Sequence, residues 1–285
     1  MAWARLCSAR PCPGACDGAA KGARVTEPTT PIGLLAAAYS ANAARPLLTT
    51  YDDSSGERVE LSVATVDNWV AKTANFLVDG VSAGPGDRVG LLLPAHWRTA
   101  TWLLACWAAG CSARLGDVQE CDIVVADAAR LDEALAAGAQ ETVAVSLQPL
   151  GGGLGPLPPG VVDYGGEVLA YGDRFTPSAA AASAAPALEL RGERWSAVEL
   201  VEEAVAAVDR WQLSDGARVL SAASYDTLDG ILAGLLAPLA VDGSVVLCRN
   251  LDPDRLVDRL QQEFVTAAAG AILPAGIAVR ALTLN

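Results

Sequence analysis

The chain has 285 residues, 52% of them hydrophobic, and carries 20 Lys+Arg against 33 Asp+Glu for a formal net charge of −13. That length and apolar content suffice for one large core or two modest ones. The negative charge is spread along the chain and repels phosphate backbones and anionic lipid, so neither nucleic acid nor a membrane is an expected partner.

Residues 1–27 lack hydrophobic periodicity and a signal-peptide h-region, and are expected to be disordered or foreign to the natural product, with translation starting at Val25. Thr30 and Pro31 then form a helix start, a capping hydroxyl followed by proline at the first helical position. Residues 47–62 read as a β-hairpin around a Ser/Gly turn. Ser62 caps a helix whose apolar face is Val66, Trp69, Val70, Thr73, Phe76 and Leu77. "GPGD" (84–87) turns the chain into "RVGLLL", apolar throughout and so buried on both faces. Pro94 ends that strand and a helix over 96–109 follows. Its Trp97, Trp102 and Trp107 recur near helical spacing and are expected in the core; exposed, they would mark a partner surface. Strands near 111–115, 121–126 and 142–146 alternate with a helix near 128–137.

The Gly/Pro-rich stretch 149–160, with 172–186, marks a seam. It divides a first lobe (28–150) from a connection (151–186) and a second lobe (187–285). Beyond it the plan restarts: a strand at 187–190, Ser196 capping a helix over 197–210, the strand "ARVLSAAS", a helix over 227–240, the strand "SVVLC" and a helix over 253–262. Gly86, Arg88 and Val89 recur as Gly216, Arg218 and Val219 at an offset of 130, while Ser62 and Ser196 are offset by 134. The expected fold class is α/β, with two pseudo-repeated lobes of mostly parallel sheet covered by helices. The two longest apolar stretches, 99–110 and 230–241, are shorter than the ~18–20 residues a membrane span needs.

The odd total of seven cysteines, with Cys106, Cys111, Cys121 and Cys248 in apolar settings, predicts reduced thiols and a cytoplasmic protein. Cys7, Cys12 and Cys16 leave a tetrahedral metal site incomplete, because the single histidine, His96, is far away in sequence; no metal is expected.

A capped helix, then "GPGDRVGLLLP", then a helix ending in "WAAG" resembles the first part of the adenylate-forming superfamily of acyl-CoA synthetases, luciferases and peptide-synthetase adenylation domains. Residues 213–266 resemble that superfamily's second sheet. The resemblance covers roughly 30–268 but only about the first half of a complete enzyme. It extends to a group of short actinobacterial proteins that carry just this part. It implies two α/β subdomains that are themselves pseudo-repeats.

The family also places a Ser/Thr/Gly-rich loop ending in lysine before the second sheet, where glycine backbone and an ammonium meet ATP phosphates. Here that position, 177–196, contains Gly192 as its one glycine and no lysine. Arg191 and Arg194 are expected in a solvated turn. "SYDT" (224–227) resembles the segment with which peptide-synthetase domains hold a substrate amine. Carried over, Asp226 would pair with an ammonium and Tyr225 would line the pocket; alternatively Asp226 or Thr227 caps the following helix. No other residue is assigned a catalytic, cofactor or metal role.

Two further motifs carry no expected chemistry. "GVSAG" (80–84) has the hydrolase-elbow pattern, but Ser82 lies on a helix-to-strand connection. "GGGLG" (151–155) opens no helix and is not a dinucleotide fingerprint. The expectation is a catalytically inactive relative acting as a binding or interaction protein through the inter-lobe crevice or a lobe face. Its partner would be a protein, a second copy of itself or a small carboxylate, and no cofactor is expected. The alternative is residual carboxylate activation, or half of a split enzyme completed by another chain, which alone would call for ATP and Mg²⁺.

Overall fold

The computed structural model describes residues 28–149, 151–182 and 184–284. The expected start at Val25 and the head cysteines lie outside them. In chain order the first half runs α1 (Pro31–Asn42), the hairpin β1 (Pro46–Asp52) and β2 (Glu57–Ser62), and α2 (Val63–Asn75), which continues into a π turn (Phe76–Gly80). Then come β3 (Arg88–Leu92), α3 (Trp97–Ala109), β4 (Ser112–Leu115), β5 (Ile123–Asp127), α4 (Leu131–Ala136), β6 (Glu141–Val145), β7 (Val161–Asp163) and α5 (Tyr164–Glu167). The second half begins with the hairpin β8 (Pro186–Leu190) and β9 (Glu193–Ser196), followed by α6 (Ala197–Trp211) and β10 (Arg218–Ser221). It ends with α7 (Leu228–Ile231), a π turn (Leu232–Leu236), α8 (Ala237–Ala240), β11 (Ser244–Arg249), α9 (Pro253–Gln262), β12 (Ala267–Ala269) and β13 (Arg280–Leu282).

These strands form two sheets, ordered β7-β6-β5-β3-β4-β8-β9 and β13-β12-β10-β11-β1-β2. Every pairing is parallel except within the two hairpins. Each hairpin pairs with the sheet of the other half, β1 against β11 and β8 against β4. The two hairpins are alike in detail. Each has a register shift just after its first residue, Pro46 opposite Ser62 and Pro186 opposite Ser196, and each serine then caps the next helix.

Side-chain alternation along the strands sorts the core into layers. Val89, Leu91, Ile123, Val125, Val219 and Val245 join the central cluster with α1, α2, α3, α6 and the α7–α8 run. On the opposite faces, Leu220 and Val246 meet Leu256 and Leu260 of α9, while Leu92, Val124 and Ala126 meet Ala134 of α4. The result is five layers, helices outside and between two sheets, which explains why the strands read as continuous apolar runs. Trp97, Trp102 and Trp107 are all buried in the central layer, so the tryptophan stripe is core and not a partner surface.

The helix expected at 227–240 is interrupted by its π turn, and β7, β9, β12 and β13 are strands not anticipated from the sequence. Among the described residues, no helix is long and apolar enough to cross a membrane.

Candidate functional site

In parallel α/β sheets the connections after the carboxyl ends of the strands are free to shape a site. Here such ends from both sheets converge. A cavity of about 660 Å³ is walled by Asp52 and Glu57 of the first hairpin, Asp127 at the end of β5, Ser146 after β6 and Arg249 at the end of β11. Ala128, Val145, Leu147 and Leu154 supply apolar surface.

The charges in this wall differ in how they are held. Asp52 is 3.4 Å from Arg249 and accepts from Asn250 Nδ2 (2.9 Å), Ser54 N (3.0 Å) and Ser54 Oγ (2.6 Å). Burial pushes its carboxyl up, but these donors outweigh it and hold the pKa below the ordinary value. Asp127 accepts the N–H groups of Ala129 (3.0 Å) and Arg130 (3.1 Å) with one oxygen. Glu57 is different: its side chain is only 6% exposed, and Oε1 has no hydrogen-bond partner.

Behind the wall, His96 is fully buried and caps α3, its Nδ1 accepting the N–H of Arg98 at 3.2 Å. It is therefore the capping residue and not a member of the first turn. Burial lowers its pKa despite the raising influence of Glu57. With Nδ1 accepting, the neutral ring carries its proton on Nε2, which stands 3.9 Å from Glu57 Oε1, too far for a hydrogen bond. Arg98 is also buried, its guanidinium 4.1 Å from the Trp97 ring centroid and 4.4 Å from that of Trp69. Gly151 (φ +58°) lies so close that a Cβ there would fall 1.4 Å from Arg98 Nη2. A Cβ on Gly153 would meet Asp163, which accepts the Leu154 N–H at 3.0 Å. The "GGGLG" glycines thus allow a loop to pack against Arg98 and Asp163, a role the motif pattern did not reveal.

The residues singled out from the sequence lie elsewhere and point apart. Tyr225 is 1% exposed; its hydroxyl donates to Gly234 O at 2.8 Å within the second π turn, and a Cβ on Gly234 would meet its ring at 2.6 Å. Asp226 is exposed, accepts the Ser224 hydroxyl and lines a separate cavity of about 380 Å³ with Arg191 and Arg210. Thr227 caps the helix, accepting the Gly230 N–H at 3.1 Å.

The stretch matched to the phosphate loop folds as a 3₁₀ turn (Ala179–Ala182), β8, a two-residue turn at Arg191 (φ 49°) and Gly192 (φ 87°), and β9. Arg194 sits 3.6 Å from Glu189. Lys72, the lone lysine among the described residues, donates to Tyr171 O at 2.6 Å. No group of three or more His, Cys, Asp or Glu among the described residues could hold a metal ion.

No family model matches the chain. A TIGR03089 family protein of Mycobacterium tuberculosis is 40% identical over 248 residues, covering 85% of this chain and 99% of that protein. The chain belongs to the TIGR03089 family. Solved structures with the same fold include a Brucella canis acyl-CoA synthetase (TM-score 0.70, 16% identity, 85% of this chain and 47% of that one). Apo MatB from Rhodopseudomonas palustris gives 0.64 and 19%, covering 84% of this chain and 49% of that one. The anthranilate CoA ligase AuaEII, in complex with anthranoyl-AMP, gives 0.70 and 13%, covering 85% and 49%. These similarities establish the α/β fold, and the chain spans about half the length of the solved enzymes it matches.

Proposed function

We propose that this chain is a non-catalytic, cytoplasmic binding protein built on an acyl-CoA synthetase-like fold, with the crevice between its sheets as the ligand site. The observation that carries this reading is the closure of residues 186–196 into a tight hairpin, in a stretch (177–196) that contains no lysine. Adenylation crowds negative charge at the α-phosphate and needs donors aimed at it. The crevice wall instead sets Asp52, Glu57 and Asp127 against Arg249 alone, which disfavours a nucleotide. It equally disfavours a small carboxylate. The unpaired, buried Cys106, Cys111, Cys121 and Cys248 support a reducing compartment.

Calorimetric titration of ATP and then AMP with Mg²⁺ tests the reading. The expected result is no binding at millimolar nucleotide. Saturable binding, with pyrophosphate release on adding carboxylates, would overturn it. The fold shared with the solved enzymes leaves a second reading, in which another chain completes a split enzyme. There, nucleotide binding and pyrophosphate release would emerge only in the presence of that chain.

A further inference from the structure

Taking a carboxylate out of water is costly unless a cation or several donors replace the lost hydration. Glu57 meets neither condition on its Oε1 side, yet it is 6% exposed and belongs to the wall of the 660 Å³ cavity. Among the described residues, the basic side chain recorded within ion-pair distance of it is His96, at 3.9 Å, and burial favours the neutral form of that ring. Arg249 is engaged by Asp52, and Arg98 lies over the rings of both Trp97 and Trp69. Asp52 and Asp127 add negative charge to the same wall, while Val145, Leu147 and Leu154 offer an apolar bed.

We infer that the crevice is a site for an organic ammonium with an apolar body, the ammonium pairing with Glu57. The inference rests on reading the crevice as the ligand site. A primary ammonium brings three donors and the missing positive charge. The carboxylate of Glu57, a lining residue of the cavity, takes one donor, and the apolar wall takes the alkyl or aryl remainder, the usual division of labour in a small-molecule pocket. This site is distinct from Asp226, whose carboxylate faces the 380 Å³ cavity.

A ladder of three probes of matched shape tests it, titrated into the full chain near neutral pH: phenethylamine, 2-phenylethanol and 3-phenylpropanoate, charged +1, 0 and −1. The expected order is ammonium first, at least about tenfold tighter than the alcohol, with no binding of the acid. Glu57→Gln is expected to bring the ammonium down to the level of the alcohol. Because the replaced charge is unpaired, this variant should melt no earlier than the wild type. Ala129→Trp, on an exposed residue of the same wall, should block the ammonium by filling the cavity and gives a second variant independent of Glu57. Alcohol or acid binding as tightly as the ammonium would overturn the inference while leaving the crevice a binding site. Silence of all three probes at about 10 mM would overturn the inference and remove the crevice as a small-molecule site as well. Undiminished ammonium binding by Glu57→Gln would also overturn it. Nucleotide binding, by contrast, bears on the non-catalytic reading alone.

Discussion

At the turn leading into β3, Gly86 N donates to Gly110 O (2.9 Å), Ser112 N to Asp87 O (2.9 Å) and Asp122 N to Arg88 O (2.9 Å). At the turn leading into β10, Gly216 N donates to Val241 O (2.7 Å), Ser244 N to Ala217 O (3.0 Å) and Thr266 N to Arg218 O (2.9 Å). Even the side-chain link recurs, with the Arg88 N–H on Asp122 Oδ2 (2.8 Å) and the Arg218 N–H on Thr266 Oγ1 (3.1 Å). The halves part company at the far ends of these strands. After β10, Ser224, Tyr225 and Thr227 are all hydrogen-bonded. After β3, His96 Nε2, Trp97 Nε1 and Arg98 Nε and Nη1 are buried without partners. Indeed, every such orphan among the described residues lies between Arg45 and Ser112. Duplication reproduces the frame, where backbone groups must be paired regardless of side chain. Chemistry collects where the two copies are free to differ.

The exchanged hairpins offer the strongest way to break this equivalence. In the six-stranded sheet, Arg259 grips Asp53 with two bonds (2.6 and 2.9 Å), and the side chains are 7% and 4% exposed. In the seven-stranded sheet, Arg88 lies 3.5 Å from Glu189 with its own side chain 34% exposed. Arg259→Ala removes both bonds and leaves the buried Asp53 carboxylate only the Asp252 N–H (2.8 Å) and the more exposed Arg255 (3.7 Å), and should cost about 2–3 kcal/mol in denaturant unfolding, whereas Arg88→Ala should cost about 1 kcal/mol or less. Equal losses would mean that both hairpins are anchored alike and that the buried pair has no special weight.

The glycines sharpen the comparison at intermediate cost. Gly86 (φ +93°) and Gly216 (φ +71°) both occupy left-handed conformations with nothing within 4 Å of an added Cβ. Gly86→Ala and Gly216→Ala should therefore each lose about 1–2 kcal/mol, from backbone strain alone. Gly151→Ala has the same backbone strain plus a collision with Arg98, so it should lose more than either. If Gly216→Ala proved markedly worse than Gly86→Ala, the two turns would not be mechanical equivalents.

What could be read from the sequence follows the same division. Caps at Thr30, Ser62 and Ser196, the apolar strands and the 130-residue repeat are local signals, and each marks an element found in the structure. The hairpin exchange was hidden, because pairing β1 with β11 depends on contacts some 200 residues apart and leaves no local trace. β9 was hidden as well, since "RGER" reads equally as a turn, and only two of its residues, Arg191 and Gly192, form one. Most of all, Glu57 gave no signal. A glutamate at the start of an exposed hairpin strand looks like a solvated charge until the carboxyl ends of the other sheet close over it. "SYDT" drew attention because it fits a pattern, and Tyr225 turned out to spend its hydroxyl inside the core.

The smallest expected effect is also the one most specific to the first half. His96 is the only histidine, so between pH 7 and 5.5 it is the side chain whose titration dominates. Burial sets its folded pKa below the ordinary 6.5, so as pH falls the unfolded chain takes the proton first. Unfolding then gains a proton, and stability should fall with pH below about 6.5, by no more than about 1.4 kcal/mol per pH unit. Denaturant unfolding at pH 7.0, 6.0 and 5.5 should reveal this slope, and His96→Gln should flatten it. Asp52, Asp53 and Glu263 act in a lower window. Their folded pKa values lie below the ordinary 3.8 to 4.5, so the stability they contribute is present above that range and is lost as pH falls through the folded values. A wild-type stability that instead increases as pH falls from 7 to 5.5 would mean that Glu57 raises the His96 pKa above its ordinary value and the folded ring holds its proton. The crevice would then hold an internal ion pair, and its unpaired negative charge, the basis for an ammonium ligand, would be gone.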